Sequence, residues 1–146
     1  MREVAENIIY EIADYLDAGF KCYLHKNGKK LIAIPDQLNH PEIEMEAWED
    51  DIQILENSFD TFIEIENMMS GDSFLVMTGF IEILEDKSLQ NRLANSIQRK
   101  KPFANFKFEI NNADESIRSK WFEFKKNKLV EWVKRQINIE QTHASA

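Results

Sequence analysis

The stretch FKCYLHKNGKKLIAIPD, residues 20–36, alternates in a way that predicts two β-strands on either side of Asn27-Gly28. Asn-Gly is typical of the type I′ turn, in which both central residues have positive φ. A two-residue loop predicts three pairs: Lys26 with Lys29, Leu24 with Leu31, and Cys22 with Ala33. Both faces of the hairpin are substantially apolar, so we expect helices or a second subunit to cover part of each.

The segments around this hairpin predict two helices and a third strand. The first helix has apolar residues every fourth position and can end at Gly19. An acidic helix follows Pro41, with an apolar stripe formed by Met45, Trp48, Ile52 and Leu55. Residues 60–66 alternate again, which predicts a third strand beside the hairpin.

The remaining chain is predicted to be helical. Residues 70–84 favour a helix, although GFIEIL within them is also compatible with a strand. The helix after it carries Leu89 and Leu93, and Pro102 suits the first turn of the next helix along the chain. In residues 114–137, Lys125 and Lys128 would project into the apolar side of one straight helix. We therefore expect a kink or break near residues 125–128.

These elements predict an α+β fold. It has an N-terminal helix, a small antiparallel sheet with strands at about residues 20–26, 30–35 and 60–66, an inserted acidic helix, and a helical C-terminal half. We expect one globular domain over residues 1–140 and a frayed tail at residues 141–146. The predicted core consists of Ile8, Ile12, Leu16, Leu24, Leu31, Trp48, Ile52, Phe74, Leu93, Phe103, Phe106, Trp121, Trp132 and Val133.

Composition places the chain among globular proteins. Its 146 residues are 43% hydrophobic and include 10 Phe and 3 Trp. The single cysteine, Cys22, excludes an intramolecular disulfide and agrees with a reducing cytosol. The N-terminus carries acidic residues where a signal peptide is apolar, and no apolar run approaches the ~20 residues that span a bilayer. We expect a soluble cytoplasmic protein that does not contact membranes.

Charge is divided sharply along the chain. Residues 1–86 contain 20 Asp and Glu against 5 Lys and Arg, whereas residues 87–146 contain 13 Lys and Arg against 6 Asp and Glu. The net charge of −8 therefore hides a basic C-terminal third. Segments of opposite sign fold against each other, pair between copies, or bind charged partners.

Two clusters of residues resemble metal or thiol sites. Cys22 and His25 lie three apart on a predicted strand and so point to opposite faces, which favours a buried Cys and a half-exposed His over a site shared with His40. The acidic run consists of Glu42, Glu44, Glu46, Glu49, Asp50 and Asp51. It lacks the spacing of a calcium-binding loop, which favours a solvated acidic helix face. We expect no metal and no cofactor.

The basic third has a nucleic-acid interpretation and a structural one. Its candidate cations are Lys100, Lys101, Lys107, Lys125, Lys126 and Lys128, interleaved with Phe and Trp. Cations and aromatic rings together could bind phosphates and stack bases. The aromatics nevertheless recur at helical spacing, so we prefer to place them in the core with the lysines solvated.

The segments K101-P-F-A-N-F-K107, W121-F-x-F124 and L129-x-x-W132 resemble a bacterial group known as uncharacterised protein family 0158. The hairpin, the acidic helix and the I-E-I-E strand are similar too, so the resemblance spans roughly residues 8–137. It implies a single cytoplasmic bacterial domain and carries over no activity, cofactor or catalytic residue.

Our leading functional hypothesis is a non-catalytic protein-binding module. The acidic region, with Glu42, Glu46, Glu49 and Asp50, would meet a basic protein surface or the basic third of a second copy. Nucleic-acid binding through the basic third is the alternative. An enzyme of unrecognised type is a third, which lacks positive support because no nucleophile elbow, phosphate-binding loop or HExxH motif is present.

Overall fold

The computed structural model describes residues 4–145, except for the side chains of Phe59 and residues 142–145. In chain order the elements are α1 (Glu6–Asp17), β1 (Phe20–His25), β2 (Leu31–Pro35), α2 (Glu49–Asn57), β3 (Phe62–Ile65), α3 (Ser70–Ile83), α4 (Lys87–Ile97), α5 (Pro102–Asn111) and α6 (Glu115–Ser145). Short 3₁₀ turns precede α2 at Met45–Trp48 and β3 at Phe59–Thr61. This order confirms the α+β class with a helical C-terminal half.

The three strands form one antiparallel sheet in the order β2-β1-β3. The hairpin register is as predicted, with Leu24 opposite Leu31 and Cys22 opposite Ala33. On its other edge β1 pairs with β3, so that Cys22 lies opposite Ile65. Strand β1 is therefore central and makes every long-range strand pairing of this sheet.

The predicted type I′ turn is wrong, although the register it implied is right. Gly28 has a φ of 76°, but Asn27 does not have the positive φ that this turn requires. Instead the Gly28 N–H donates to the His25 carbonyl oxygen at 2.7 Å. The His25 Nδ1 accepts from the Asn27 N–H, and the Asn27 Oδ1 accepts from the Lys29 N–H. These side-chain hydrogen bonds stabilise a loop in which Gly28 has a positive φ and Asn27 does not.

Helix α1 covers one face of the sheet. Cys22, Leu24, Ile63 and Ile65 share this face and are buried. The Cys22 Sγ lies 3.9 Å from the carbonyl oxygen of Ile12, which is fully buried on α1. This contact places the helix directly over the central strand.

The opposite face is covered by the 3₁₀ turn Met45–Trp48 and helix α2, which together form the acidic segment. Ile32, Ile34 and Phe62 are buried there. Partly buried residues from the 3₁₀ turn and α2 pack on them, among them Met45, Trp48, Ile52 and Leu55. The apolar stripe predicted from the sequence is thus the surface that packs on the sheet, and helices cover both faces of the hairpin.

Gly19 ends α1 as predicted. It has a φ of 82°, and its N–H donates to the Leu16 carbonyl oxygen. The His40 Nε2 lies 2.7 Å from the Ala18 carbonyl oxygen, so the loop after β2 closes on this helix end. A Cβ at residue 19 would come within 3.0 Å of that nitrogen, so both the backbone and the available space require glycine.

The C-terminal part of α6 is bonded to the end of β3. The Glu66 carbonyl oxygen accepts from the Trp132 Nε1–H at 2.7 Å and from the Gln136 Nε2–H at 3.2 Å. Trp132 is therefore half-buried, with its polar edge satisfied. Buried Val133 and Ile137 lie on the same part of the helix.

Helices α3, α4, α5 and the N-terminal part of α6 enclose an aromatic core. The Phe80 ring is fully buried, with centroid distances of 5.3 Å to Trp121 and 5.5 Å to Phe124. Phe106 completes the cluster at 4.7 Å from Trp121. A Cβ on Gly79 would lie 3.3 Å from the Phe124 ring, which shows how closely α3 approaches α6.

Of the kink or break predicted in the last helix, the break is wrong, since α6 is continuous from Glu115 to Ser145. The Lys125 Nζ lies 5.8 Å from the Trp121 ring centroid and 5.4 Å from that of Phe122. The Lys128 Nζ lies 5.5 Å from the Phe124 centroid. Because an ammonium group is attracted to a ring face and its aliphatic stem packs on apolar surface, these lysines fit the aromatic side of a continuous helix.

The predicted core is largely correct, with one clear error. Six predicted residues are fully buried: Ile12, Leu16, Leu24, Leu93, Phe106 and Val133. Seven are half-buried: Ile8, Leu31, Trp48, Ile52, Phe74, Trp121 and Trp132. Phe103 is 42% exposed, because the buried side of α5 is formed by Phe106 and Ile110.

The chain divides into two compact units. Unit 1 comprises residues 1–67 and 129–146, and unit 2 comprises residues 68–128. Helix α6 contributes to both. The single domain expected over residues 1–140 and the frayed tail at residues 141–146 stay predictions, and Ala146 lies outside the described residues.

Replacing Phe80 by Ala should lower the free energy of unfolding by about 3–5 kcal/mol, because it removes a buried ring from the centre of the aromatic cluster. Leu75→Ala on the same helix is the matched control. Its side chain is 69% exposed, so the expected change is within about 0.5 kcal/mol. Urea unfolding followed by tryptophan fluorescence measures both, and equal small losses would contradict the burial of Phe80.

Candidate interaction surfaces

The division of charge is also present between the two structural units, although it is sharper between residues 1–86 and residues 87–146. Unit 1 contains 18 Asp and Glu against 7 Lys and Arg, a net charge of −11. Unit 2 contains 8 Asp and Glu against 11 Lys and Arg, a net charge of +3. The acidic character therefore belongs to the unit that holds the sheet.

The acidic segment presents carboxylates on the side turned away from the sheet. Glu46 lies in the 3₁₀ turn, and Glu49 and Asp50 lie in the first turn of α2. All three side chains are exposed, and their carboxylates make no hydrogen bond or ion pair within the described part of the chain. Negative charge in the first turn of a helix is favourable, because the helix dipole is positive there.

Glu42 differs from these three residues in having a partner. Its Oε1 lies 3.8 Å from the His40 Nδ1, and its side chain is exposed in the loop that precedes the 3₁₀ turn. The other ring nitrogen of His40 is close to the Ala18 carbonyl oxygen. The structure therefore brings Glu46, Glu49 and Asp50 together on one short stretch and places Glu42 beside the loop histidine.

Lys100 and Lys101 lie at the corner between α4 and α5. Lys101 has a φ of 58°, in the left-handed region, and precedes Pro102 at the start of α5. The Asn105 Nδ2–H group donates to the carbonyl oxygens of Lys100 and Ser96, which fixes the corner. Both lysine side chains are exposed.

The other predicted basic residues divide into two kinds. Lys107 is exposed on α5, whereas Lys125, Lys126 and Lys128 are only partly exposed along α6. Lys125 and Lys128 are engaged with aromatic rings of their own helix. The most accessible positive charge of the predicted set is therefore that of Lys100, Lys101 and Lys107.

Sequence reasoning missed the exposure of three phenylalanines in unit 2. Phe103, Phe108 and Phe122 are 42%, 66% and 55% exposed. A signal for one of them was present in the spacing. Phe106 and Phe108 are separated by roughly 200° around a helix, so they cannot share its buried side.

Cys22, His25 and His40 form no common site. Cys22 is a buried free thiol, and burial together with the charge of Glu11 raises its pKa to about 12. The His25 Nδ1 accepts a hydrogen bond within the hairpin loop, and the His40 Nε2 lies beside the Ala18 carbonyl oxygen at the end of α1. Among the side chains that the structure describes, no three from His, Cys, Asp or Glu are grouped so that they could hold a metal ion.

A groove of about 450 Å³ opens beside the acidic segment, entirely within unit 1. Ile34, Met45, Ile52 and Leu55 form its apolar part. Tyr23 also lines it, and burial, followed by the charges of Glu64 and Asp36, raises the pKa of that phenol. This groove was not predicted, since it depends on how the end of β2 approaches α2.

Comparison with known proteins places the chain in a family. The model of the uncharacterised protein family UPF0158 matches residues 4–145. The chain belongs to this family. It is similar to the UPF0158 protein PA5073 of Pseudomonas aeruginosa, at 27% identity over 125 residues, covering 85% of this chain and 76% of that protein. No solved structure matches.

The resemblance inferred from the aromatic motifs is thereby confirmed, and the family has no assigned activity. No helix among the described residues is both long enough and apolar enough to cross a membrane.

Replacing Cys22 by Ala should make stability less sensitive to alkaline pH. The native thiol keeps its proton up to about pH 12, whereas the unfolded thiol ionises near pH 9.0. In this window the unfolded state binds fewer protons than the native state, so the free energy of unfolding falls as the pH rises. Urea unfolding at several pH values above 8 should show a shallower decline in Cys22→Ala than in the natural chain.

Tyr23→Phe serves as a control in this experiment, because burial also raises the pKa of the neighbouring phenol. The double variant separates the two contributions. Identical declines in the natural chain and in Cys22→Ala would contradict the burial of the thiol.

Proposed function

We propose that the chain is a non-catalytic interaction module of the bacterial cytoplasm, and that the outer side of its acidic segment binds a basic protein surface. One observation carries this proposal. Glu46, Glu49 and Asp50 lie exposed on one short stretch, and their carboxylates have no partner in the described part of the chain.

The packing of α2 supports this role. Its inner side is anchored on Ile32, Ile34 and Phe62 of the sheet, so the outer carboxylates are held on an ordered element. A partner that binds them would immobilise little additional backbone, which reduces the entropic cost of association.

The net charge of unit 1 adds to the attraction that the three carboxylates exert on a cationic partner. A net charge of −11 on one unit attracts a cationic partner over a distance of about 8–10 Å at moderate salt. Such a field raises the association rate and lowers the affinity for other acidic proteins. Binding should therefore weaken as salt is added.

Neutralising the three carboxylates should weaken binding of a cationic probe. In Glu46→Gln/Glu49→Gln/Asp50→Asn, the affinity for a fluorescein-labelled nonalysine peptide should fall roughly tenfold at low salt, since each exposed ion pair contributes about 0.2–1 kcal/mol. Fluorescence anisotropy measures the affinity, and circular dichroism checks that α2 still forms.

The matched control removes the same charge from exposed positions of unit 2: Glu82→Gln, Glu85→Gln and Glu123→Gln. Its affinity should change by less than about twofold, because these residues lie outside the acidic segment. An equal loss in both triple variants would mean that only net charge matters and would contradict a localised surface.

Binding of single-stranded nucleic acid by unit 2 is a second candidate. The exposure of Phe103, Phe108 and Phe122 favours it, because base stacking needs accessible rings. Lys100 and Lys107 supply exposed positive charge in the same unit. The net charge of −8 on the whole chain opposes such binding, which is why we place it second.

Labelled single- and double-stranded oligonucleotides test this candidate by anisotropy at low and moderate salt. If it is correct, affinity falls steeply with salt, and Lys100→Glu/Lys107→Glu loses most of it. Phe108→Ala should then lose roughly fivefold or more for single strands only. A flat signal at low salt, where such binding is strongest, would exclude this candidate.

A further inference from the structure

We infer that the groove of unit 1 binds one apolar side chain of a basic segment in a partner protein. The inference rests on the proposed function and adds a site of contact to it. The carboxylates of the acidic segment would attract the segment, and the groove would select it by an apolar anchor residue.

The shape and lining of the groove suit such an anchor. Ile34 at the end of β2 and Met45, Ile52 and Leu55 from the acidic segment provide the apolar wall. A volume of about 450 Å³ lies at the lower end of the range for ligand pockets, which suits a single large side chain. Burial of such a side chain against apolar surface is favourable by about 1.5–3 kcal/mol when it is complete.

The polar rim favours a cationic segment. Asp36 and Glu56 contribute two carboxylates to the lining, and Lys21 contributes one ammonium group. The Asp36 carboxylate is oriented by the Leu38 N–H at 3.0 Å and by the Asn39 Nδ2–H at 3.4 Å. Because an ionised carboxylate accepts up to about four hydrogen bonds, it retains the capacity to bind a Lys or Arg beside the anchor.

Leu38 adds an apolar contact at the mouth of the groove. Its side chain is 91% exposed, the most exposed of the large hydrophobic residues of the described chain. The loop that carries it is fixed by the Asp36 bonds and by the contact of His40 with the end of α1. Leu38 is therefore presented to solvent by an ordered turn and would become buried when the groove is filled.

The charge of the chain argues for a foreign partner over a second copy. Two copies carry −8 each and repel one another as whole molecules, whereas a basic partner is attracted to unit 1. Glu46, Glu49 and Asp50 belong to the same segment as three of the wall residues. A bound segment can thus place its anchor in the groove while its flanking cations meet these carboxylates.

Three nine-residue peptides of equal charge test the inference: four lysines on each side of a central Phe, Leu or Ala, labelled with fluorescein. Anisotropy at low salt should show binding of the Phe or Leu peptide roughly fivefold or more tighter than that of the Ala peptide. Leu38→Ala should reduce this preference at least twofold, while Leu75→Ala on unit 2, also exposed, should leave it unchanged.

Methyl NMR identifies where the anchor binds. Addition of the Phe peptide should shift the methyl resonances of Ile34, Met45 and Ile52, and ring-current shifts should be absent with the Ala peptide. Thermal unfolding of Leu38→Ala confirms that the variant is folded. Equal affinities for the three peptides, or shifts confined to other methyl groups, would overturn the inference.

The outcomes separate this inference from the proposed function. If the three peptides bind equally and Glu46→Gln/Glu49→Gln/Asp50→Asn still binds them roughly tenfold more weakly, the proposed function stands and the groove inference fails. If no peptide binds at low salt, both fail. If the chain alone shows a concentration-dependent mass by ultracentrifugation with the same methyl shifts, the groove is occupied by a second copy and the foreign partner is excluded.

Discussion

Coverage of both faces of the sheet is the constraint on which unit 1 depends. A three-stranded sheet is stable only when its apolar surface is covered, and here both surfaces are apolar. Ile12 on α1 contacts Cys22 on one side, and the stripe containing Trp48 and Ile52 packs on Ile32 on the other. Because the stripe must face the sheet, the carboxylates of the same segment are directed outward. The candidate interaction surface is a consequence of how the core is closed.

Side-chain hydrogen bonds at one edge of the sheet and a proline at the other limit pairing with a further strand. An unpaired strand end exposes carbonyl and N–H groups that can pair with another chain. At Glu66 the carbonyl oxygen is instead occupied by the Trp132 and Gln136 side chains, which also fix the last part of α6. At the other edge, Pro35 ends β2 and lacks an N–H to donate. Each edge of the sheet therefore has one backbone group fewer with which another strand could pair.

Alternation and helical spacing predicted most of the fold, and the failures have identifiable physical causes. The register around Cys22 and Leu24 follows from period-two patterning, but the turn type depends on bonds made by the His25 and Asn27 side chains. The break expected near Lys125 assumed that lysine is excluded from an apolar side. The ring of Trp121 accommodates its ammonium group at 5.8 Å, an attraction that a binary apolar–polar pattern does not represent.

The carboxylates of the acidic segment and the groove beside them also differ in how far the sequence predicts them. The acidity of Glu46, Glu49 and Asp50 is visible in sequence because charge is local, and the packing stripe determines the side on which it appears. The groove joins Ile34 to Ile52, residues from separate elements, so no local pattern encodes it. Carboxylates alone bind any polycation, whereas an apolar groove beside them can discriminate between equally charged partners. If unit 1 is selective, its selectivity must therefore arise from the tertiary feature, and its salt dependence from the local one.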